Sequence, residues 1–398
     1  MNSPNGHLRH TVRSLVTVGG LTGLALVSAA APGVAGLPAA SERADWDLRV
    51  VGEYVVPKGV IVDGSSVGEL SGLDYDTRTG DWFLIADDST EGPPRFYRAR
   101  IDIDQDGVHG VDFVESVDIR RTDGTLFPPA SDDDPEVADP EAIRVDPANG
   151  MLWWASEGKR VVPSDGGEPQ LVDPWVRQMS QTGRHIRQTS QPETLRMSPD
   201  QEGPRHNLTF EGLDLTADGR ELVTAMEGPL YQDGGVPTVD EGAIGRLTWY
   251  NKRTGVPVRQ HAYEIGPIPV PPVPSDAFAD NGVTEILTID EHRYLVLERS
   301  FAVGVGNNIR VYEIDVSDAT DVLNRHRLAD SRYQPVDKKL VVDFADLDLS
   351  RVDNIEGMSW GPDFATGEHS LVFVSDDNFN DSQVTQVIAL AVRNDLAR

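Results

Sequence analysis

The chain has 398 residues, and its 65 acidic against 35 basic side chains give a formal net charge of −30. It contains no cysteine, which excludes disulfide bonds, thiol catalysis and lipid attachment to an N-terminal cysteine. So large an excess of negative charge argues against nucleic acid and anionic membranes as partners and favours a cationic one.

Residues 1–40 have the pattern of a secretory signal peptide followed by a short leader. Arg9 and Arg13 precede an apolar run from Leu15 to Ala31, and small residues follow it. The run is too short, and too broken by glycine, for a membrane-spanning helix. We therefore predict that the protein is secreted into the extracellular space, and that residues 41–398 form one domain without a membrane anchor.

The first predicted strand, Trp46–Val56, has no hairpin partner next to it in the sequence. The segment Gly64–Gly68 that follows has G-x-S-x-G spacing around Ser66, as in the nucleophile elbow of some hydrolases. That elbow requires a strand before the serine and a helix after it, whereas the pattern here predicts another strand. The motif therefore gives Ser66 little support as a nucleophile.

A β-hairpin with acidic ends is then repeated five times along the chain. Each copy has an alternating first strand, a turn rich in glycine, proline or aspartate in most copies, and a second strand. The copies are Leu70–Ser89, Pro140–Gly158, Phe210–Gly228, Thr284–Ser300 and Asn354–Phe379. Their opening residues, 70, 70, 74 and 71 residues apart, are Ser71, Glu141, Glu211, Glu285 and Glu356. Their closing residues are Asp87 with Asp88, Glu157, Glu227, Glu298, and Asp376 with Asp377.

Two more strands are predicted after each of the first four hairpins, and one, Val384–Val392, after the fifth. The former are Arg95–Ile103, Gly110–Ile119, Trp175–Met179, His185–Thr189, Arg246–Tyr250, Val256–Ile265, Asn308–Ile314 and Lys339–Phe344, with a short helix predicted near Asp318–Leu328. The fifth unit lacks a fourth strand, and Trp46–Val56 can supply it. The sequence thus predicts an all-β fold, a β-propeller of five four-stranded blades closed by the N-terminal strand. A six-bladed ring is the alternative.

Equivalent hairpins in such a ring would bring their acidic ends together at one end of the propeller. Crowded carboxylates raise each other's pKa, so they require protons, metal ions or basic partners. Ligands that offer only oxygen favour calcium over zinc or copper. The candidate ligands are Asp87, Asp88, Glu141, Glu157, Glu211, Glu227, Glu285, Glu298, Glu356, Asp376 and Asp377. The alternative is that each acid caps its own turn or pairs with Lys159, Arg160 or Arg299.

A second candidate calcium site is the turn that contains Asp102, Asp104 and Asp106. The three aspartates have the spacing of a calcium-binding loop. The twelfth position of the loop is Phe113 where such loops carry glutamate, so a complete EF-hand is not expected. A solvated Asp-Gly turn would have the same sequence.

Four segments together resemble the signatures of a family of exported proteins, the esterase-like activity of phytase family. They are Pro140–Ala142, Phe210–Leu213, Asn354–Met358 and Ser375–Phe379, and the resemblance extends from about Arg49 to Val392. The family name implies phosphoester hydrolysis. By analogy, the calcium-dependent propeller phytases, which have six blades, suggest a calcium cofactor.

We therefore expect a calcium-dependent phosphoesterase that acts, as a monomer, on phosphate monoesters of small molecules by metal-assisted hydrolysis. The candidate catalytic residues are Glu211, Glu356, Lys159 and Arg299, the last two because lysine and arginine grip phosphate. Two alternatives stay open at this point. One is a metal-dependent carboxylesterase or lactonase that uses the same acids, and the other is a propeller that binds a ligand without catalysis.

Overall fold

The computed structural model describes residues 43–87, 92–128, 136–329 and 331–393. The predicted signal peptide and leader, residues 1–40, lie outside this part of the chain. The described residues form 24 β-strands and three short 3-10 helices. None of their helices is long and apolar enough to cross a membrane.

Twenty of the strands form five four-stranded antiparallel blades. Blade 1 consists of β4 (Leu70–Tyr75), β5 (Trp82–Ala86), β6 (Arg95–Asp104) and β7 (Gly107–Asp118). Blade 2 consists of β8 (Pro140–Val145), β9 (Leu152–Ser156), β12 (Trp175–Met179) and β13 (His185–Gln188). Blade 3 consists of β14 (Phe210–Leu215), β15 (Glu221–Met226), β16 (Ala243–Asn251) and β17 (Pro257–Ile265). Blade 4 consists of β18 (Ala279–Thr288), β19 (Arg293–Ala302), β20 (Gly306–Asp315) and β21 (Asp337–Asp343).

Blade 5 joins the two ends of the repeat. It consists of β22 (Asn354–Trp360), β23 (His369–Asp376), β24 (Gln386–Val392) and, as its outer strand, β1 (Leu48–Val55). The antiparallel register runs from Leu48 opposite Val392 to Val55 opposite Gln386. This closure confirms the predicted five-bladed propeller, and it excludes the six-bladed alternative.

The hydrophobic core is divided among the contacts between neighbouring blades. The inner strands are buried on both faces, so they carry nearly continuous apolar runs. Five main clusters of buried side chains result, one between each pair of successive blades. Trp82, Trp153, Trp154 and Trp249 are almost fully buried in them, as expected for tryptophans that pack between blades.

A single arginine, Arg144 on β8, fills the centre of the ring. Its side chain is 1% exposed and donates hydrogen bonds to the carbonyl oxygens of Leu73 in blade 1, at 2.8 Å, and Met358 in blade 5, at 3.0 Å. It also forms ion pairs with Asp214 in blade 3, at 3.4 Å, and Glu285 in blade 4, at 2.8 Å. One residue of blade 2 therefore contacts all four other blades.

The connections between strands differ in part from the sequence-based prediction. Residues Asp318–Leu328 form turns and no helix, so that prediction was wrong. Two small ribbons were not predicted: β2 (Ile61–Val62) with β3 (Ser65–Ser66), and β10 (Lys159–Val161) with β11 (Gln170–Val172). Ser66 lies in the first ribbon, without a following helix, which agrees with its rejection as a nucleophile.

Candidate metal centre

A β-bulge near the start of the first strand of every blade positions the first set of functional side chains. In each blade the register with the second strand shifts by one residue at this point. The extra residue at each bulge is Ser71, Glu141, Glu211, Thr284 or Glu356, in blade order. Bulges re-aim side chains at the rim of a sheet, and here they turn three glutamates towards one end of the ring.

A second set of side chains stands where the second strand of each blade ends. The backbone amides of Asp87, Glu157 and Glu227 donate to the carbonyl oxygens of Glu69, Asp139 and Thr209, at 3.0, 3.0 and 2.6 Å. The equivalent pairs in blades 4 and 5 are Arg299 opposite Gly282 and Asp376 opposite Asn354. Four blades thus place an acid at this position, and blade 4 places an arginine.

Blade 4 departs from the predicted alignment by one residue. Its bulge residue is Thr284, so Glu285 points to the centre of the ring, where it pairs with Arg144. Glu298 likewise precedes the equivalent position, which Arg299 occupies. A shift of one residue turns a side chain to the other face of a strand.

Glu298 instead belongs to a buried polar cluster between blades 3 and 4. Its carboxylate accepts hydrogen bonds from the Tyr263 hydroxyl, at 2.7 Å, and the Asn281 amide, at 3.0 Å, and it pairs with Lys338. The structure therefore brings neither Glu285 nor Glu298 into the group of carboxylates predicted from the sequence.

Five of the other predicted acids, Asp87, Glu141, Glu211, Glu356 and Asp376, line a cavity of about 370 Å³ at this end of the propeller, which we call the acidic cavity. Its walls carry carboxylates, amides, one arginine and one phenylalanine. The lining residues are Asp87, Asp139, Glu141, Asn207, Glu211, Asp280, Arg299, Phe301, Asn307, Asn354, Glu356, Asp376, Asn378, Asn380 and Gln383. Arg299 is the one basic side chain among these described lining residues.

Two groups of three carboxylates in and below the cavity wall could hold a metal ion. One consists of Asp139, Glu141 and Glu157, and the other of Glu157, Glu211 and Glu227. Within each group one oxygen of every side chain lies within 4.8 Å of the others. Five carboxylates from blades 2 and 3 are thus gathered at one place.

Burial and mutual repulsion strongly raise the pKa of these acids. Burial, the larger cause, raises the pKa of Asp139 to about 6, that of Glu227 to about 7 and that of Asp376 to about 8. The pKa values of Glu141 and Glu211 lie well above the usual range, because burial is reinforced by the neighbouring carboxylates. The same causes raise the pKa values of Asp87 and Glu157. The cluster cannot ionise fully without added positive charge.

Arg299 supplies part of that charge from blade 4. Its guanidinium lies 3.3 Å from Glu227, 3.4 Å from Glu356 and 3.6 Å from Asp280. By contrast Lys159, on β10, is not among the cavity lining residues. Its charge acts on Asp139, whose pKa it lowers against the larger effect of burial.

The donor atoms fit a hard divalent cation. They are all carboxylate oxygens, and neither cysteine nor histidine is present among the described lining residues. Oε2 of Glu227 and Oδ1 of Asp87 are buried, yet neither accepts a hydrogen bond in the described part of the chain. A buried oxygen without a donor is costly, and a cation held by the second group would satisfy that of Glu227, whereas Asp87 belongs to neither group.

The paired acids of blade 5 are separated by the structure. Asp376 lines the acidic cavity, where Asn354 donates to its Oδ2, at 3.2 Å, and to Oε1 of Glu356, at 2.9 Å. Asp377 accepts hydrogen bonds from the backbone amides of Glu69 and Phe379, at 3.1 and 3.3 Å. It therefore joins the segment before β4 to the loop after β23. Asp88, the other predicted partner in blade 1, lies outside the described residues.

The structure does not gather Asp102, Asp104 and Asp106 into a metal-binding group. They lie at the hairpin between β6 and β7, where Asp104 caps the amide of Asp106 at 2.8 Å and contacts His109 at 3.0 Å. Asp102 is seven residues along β6 from the cavity end of the blade, which corresponds to about 23 Å. This turn is therefore remote from the acidic cavity.

Nine of the fifteen lining residues were not among the predicted site residues, and Asp139 and Asn354 are the two of them that contact the predicted acids most directly. Asp139 belongs to the first metal-binding group, and Asn354 bridges two acids. Both stand two residues before a bulge glutamate, in D-P-E and N-I-E. This spacing was a usable signal, because residues two apart on a strand face the same side.

The solved structures that resemble this chain include two distant likenesses. An α-L-arabinofuranosidase from Lactobacillus brevis is 10% identical over 83% of this chain and 92% of its own, with a TM-score of 0.42. A gluconolactonase from Xanthomonas campestris is 10% identical over 88% of this chain and 97% of its own, with a TM-score of 0.31. We base no argument on these likenesses.

Comparison of the sequence alone is more informative. No curated protein matches the chain. The sequence model of a phytase-like family, described as esterase-like activity of phytase, matches residues 65–379, which include four complete blades and two of the four strands of the fifth. The chain therefore belongs to the esterase-like activity of phytase family.

Proposed function

We propose that this protein is a calcium-dependent phosphoesterase that hydrolyses phosphate monoesters. Membership of the family suggests a hydrolase-type activity. The observation that carries the finer proposal is the position of Arg299, which faces an open cavity beside buried carboxylates. A site with oxygen ligands for a cation and a guanidinium for an anion suits a metal-bound phosphate group.

The carboxylates and the remaining cavity residues have separate roles in this proposal. Asp139, Glu141, Glu157, Glu211 and Glu227 would hold the calcium. When bound, calcium neutralises the phosphate oxygens and lowers the pKa of a coordinated water. Arg299 grips phosphate oxygens through its planar guanidinium, and the amide side chains of the cavity wall offer further donors.

Glu356 is the residue best suited to carry a proton. It lines the cavity, belongs to neither metal-binding group, and has a pKa raised to about 7 by burial, against the opposing effect of Arg299. A carboxyl group with this pKa is partly protonated at neutral pH, so it can donate a proton to the leaving alcohol oxygen. Since Asn354 binds its Oε1, the direction of the group is fixed.

The proposal is tested by phosphate release from phytate and from an aryl phosphate, with calcium or with a chelator. We expect release only with calcium. Glu356→Gln should lower kcat about 100-fold at saturating calcium, because a proton donor is lost. Glu211→Gln should raise the calcium concentration required. Glu241→Gln, which changes an exposed acid, is the matched control and should leave both values unchanged.

Two outcomes would contradict the proposal. One is phosphate release that persists in chelator, and the other is a folded, calcium-loaded protein that releases no phosphate from either substrate. Circular dichroism of each variant separates a loss of chemistry from a loss of fold. The signal-like pattern of residues 1–40 supports an extracellular setting, where calcium is available at the level that weak sites require.

An apolar feature beside the cavity favours a second candidate, a metal-dependent carboxylesterase. Val273, Phe278, Val303 and Val305 are 65, 63, 36 and 48% exposed, and we call them the apolar lip. Backbone hydrogen bonds join the amide of Val273 to the carbonyl of Val303, and the amide of Val303 to the carbonyl of Phe278. The ring of Phe278 lies 6.5 Å from that of Phe301, which lines the cavity.

Exposed apolar side chains at the mouth of a site suit a substrate with an apolar group. An aryl acetate tests this candidate in the same assay. Acetate release without phosphate release would favour the carboxylesterase, whereas release of phosphate alone would favour the phosphoesterase.

A further inference from the structure

We infer that the acidic cavity holds two calcium ions which share Glu157 as a ligand, and that they differ in their access to solvent. This inference rests on the metal dependence in the proposed function. It is tested by counting ions, without any turnover.

The geometry defines two overlapping sites. Two oxygens that bind the same calcium lie at most about 5 Å apart, because each stands 2.3–2.6 Å from the ion. The group Asp139, Glu141 and Glu157 meets this limit, and we call it the outer site. The group Glu157, Glu211 and Glu227 also meets it, and we call it the inner site. Glu157 is the one described residue that belongs to both.

Glu157 is held rigidly in this shared position. Its Oε1 accepts a hydrogen bond from the amide of Thr209, at 2.6 Å, and its carbonyl oxygen accepts one from the Thr209 hydroxyl, at 2.8 Å. These bonds join the end of β9 in blade 2 to the start of β14 in blade 3. The carboxylate therefore lies between the acids of both blades before any ion binds.

The two sites differ in exposure. Asp139 and Glu141 of the outer site line the acidic cavity, and Asp139 is only partly buried. In the inner site Glu211 alone lines the cavity. Glu157 and Glu227 are 1 and 5% exposed and lie below the wall. An outer ion can therefore exchange with solvent and meet a substrate, whereas an inner ion is enclosed.

Charge balance requires a second ion. The five carboxylates of the two sites carry five negative charges when ionised, and one divalent ion would leave three of them uncompensated. Two ions leave a single negative charge beside the guanidinium of Arg299, which lies 3.3 Å from Glu227 and is shared with Glu356, at 3.4 Å, and Asp280, at 3.6 Å. The neighbouring acids Glu356 and Asp376 accept hydrogen bonds from the Asn354 amide.

An unpartnered oxygen points to the inner site in particular. Oε2 of Glu227 is buried and accepts no hydrogen bond from any described residue. Leaving a buried carboxylate oxygen without a partner is costly. An ion in the outer site would not relieve this cost, because Glu227 does not belong to that site. An ion in the inner site would relieve this cost, because Glu227 belongs to that site.

The experiment measures calcium bound per chain by equilibrium dialysis at saturating calcium, after chelator treatment of the full-length protein. We expect two ions in the native chain and in the control Glu241→Gln. Asp139→Asn should retain one ion that leaves slowly when chelator is added. Glu227→Gln should retain one that leaves quickly. Glu157→Gln should reduce the affinity of both sites at least tenfold.

A native chain that binds only one ion, or none, would overturn the inference. A Glu157→Gln variant that loses only one of the two ions would also overturn it. If Glu157→Gln fails to fold, Glu157→Asp keeps the charge but shortens the reach, and it should weaken both sites. Two bound ions without phosphate release would reject the proposed function and leave this inference standing. Phosphate release by a protein that binds only one ion would reject this inference and leave the proposed function standing.

Discussion

Arg299 occupies in blade 4 the place that an acid occupies in the other four blades. The exchange converts a uniform ring of negative charge into a site with two sides. The carboxylates that could hold a metal ion, from blades 2 and 3, lie on one side, and the guanidinium from blade 4 lies on the other. Such an asymmetry suits an anionic group bound between them, because each side can then neutralise part of its charge.

The raised pKa values of the cluster predict how stability depends on pH when calcium is absent. A carboxyl group whose pKa is higher in the folded than in the unfolded state favours folding while it is protonated. This contribution is complete below the unfolded value and is lost as the pH rises through the folded value. For Asp139, Glu227, Glu356 and Asp376 the folded values are about 6, 7, 7 and 8. The loss therefore falls between about pH 5 and pH 9.

We expect the calcium-free protein to melt at least about 3 °C lower near pH 9 than near pH 5, equal to roughly 2 kcal/mol. Calcium should remove the difference, since it binds the ionised carboxylates. Calorimetry with chelator and with calcium measures both effects. A calcium-free protein that gains stability on going to alkaline pH would contradict the prediction.

At the scale of single elements, the β-bulge decides which residues enter the site. Three bulges carry glutamate in the sequence context E-G or E-A, and blade 1 carries S-G. The small residue that follows lets the inner strands approach, since a Cβ on Gly212 would lie 2.7 Å from the backbone of Ile286. Blade 4 has T-E instead, with Glu285 at the position of the small residue.

The sequence therefore predicted the hairpins and four of the five carboxylates that the structure groups together, but it placed blade 4 in the wrong register. Aligning the copies by their acids is correct only while the acid stays at the bulge. In blade 4 the acid, Glu285, lies one residue after the bulge and pairs with Arg144. The register of blade 4 depends on contacts between residues that are distant in the sequence, such as Glu285 and Arg144, and the local sequence pattern does not indicate them.

The apolar lip is a second element with a testable role. Because its side chains are exposed, replacing Phe278 and Val273 by serine should change the melting temperature by less than about 1 °C. If the lip contacts the substrate, kcat/KM for an aryl phosphate should fall about fivefold, equal to roughly 1 kcal/mol of lost apolar contact.

Phytate, which has no apolar surface comparable to an aryl ring, serves as the internal comparison, and its kcat/KM should stay unchanged. A matched control is Val239→Ser, since Val239 is also exposed, at 43%, and is not part of the lip. An equal loss for both substrates in the lip variant would show that the lip acts on the cavity itself rather than on the apolar group.

At the scale of the whole molecule, Arg144 links the five blades through a single buried guanidinium. Replacing it by methionine would leave Asp214 and Glu285 buried without their cation. Breaking a buried ion pair on one side costs about 3–5 kcal/mol. We expect Arg144→Met to lower the free energy of unfolding by this amount, as measured by urea denaturation.

The double variant Arg144→Met with Glu285→Gln separates charge from packing. It should recover part of the lost stability, because one uncompensated charge is removed. Unchanged stability in Arg144→Met would mean that the ring does not depend on this central contact.

Much of the architecture followed from the sequence because propellers repeat. The period of the hairpins predicted the number of blades, and the missing strand of the last unit predicted the closure. The centre of the ring could not be predicted in this way. Arg144 meets Leu73 and Met358, which are 71 and 214 residues away, and only the closed ring brings them together.

The pairing of β1 with β24 also has a consequence for the order of folding. These two strands are the first and the last of the blade-forming strands to leave the ribosome. The final blade therefore stays incomplete until β24 has been synthesised, and contacts between such remote segments form slowly. Until then β1 and the β24-facing edge of β23 stay unpaired, and unpaired strand edges are prone to aggregate. The ring shape thus makes closure of the propeller a late event in the folding of this chain.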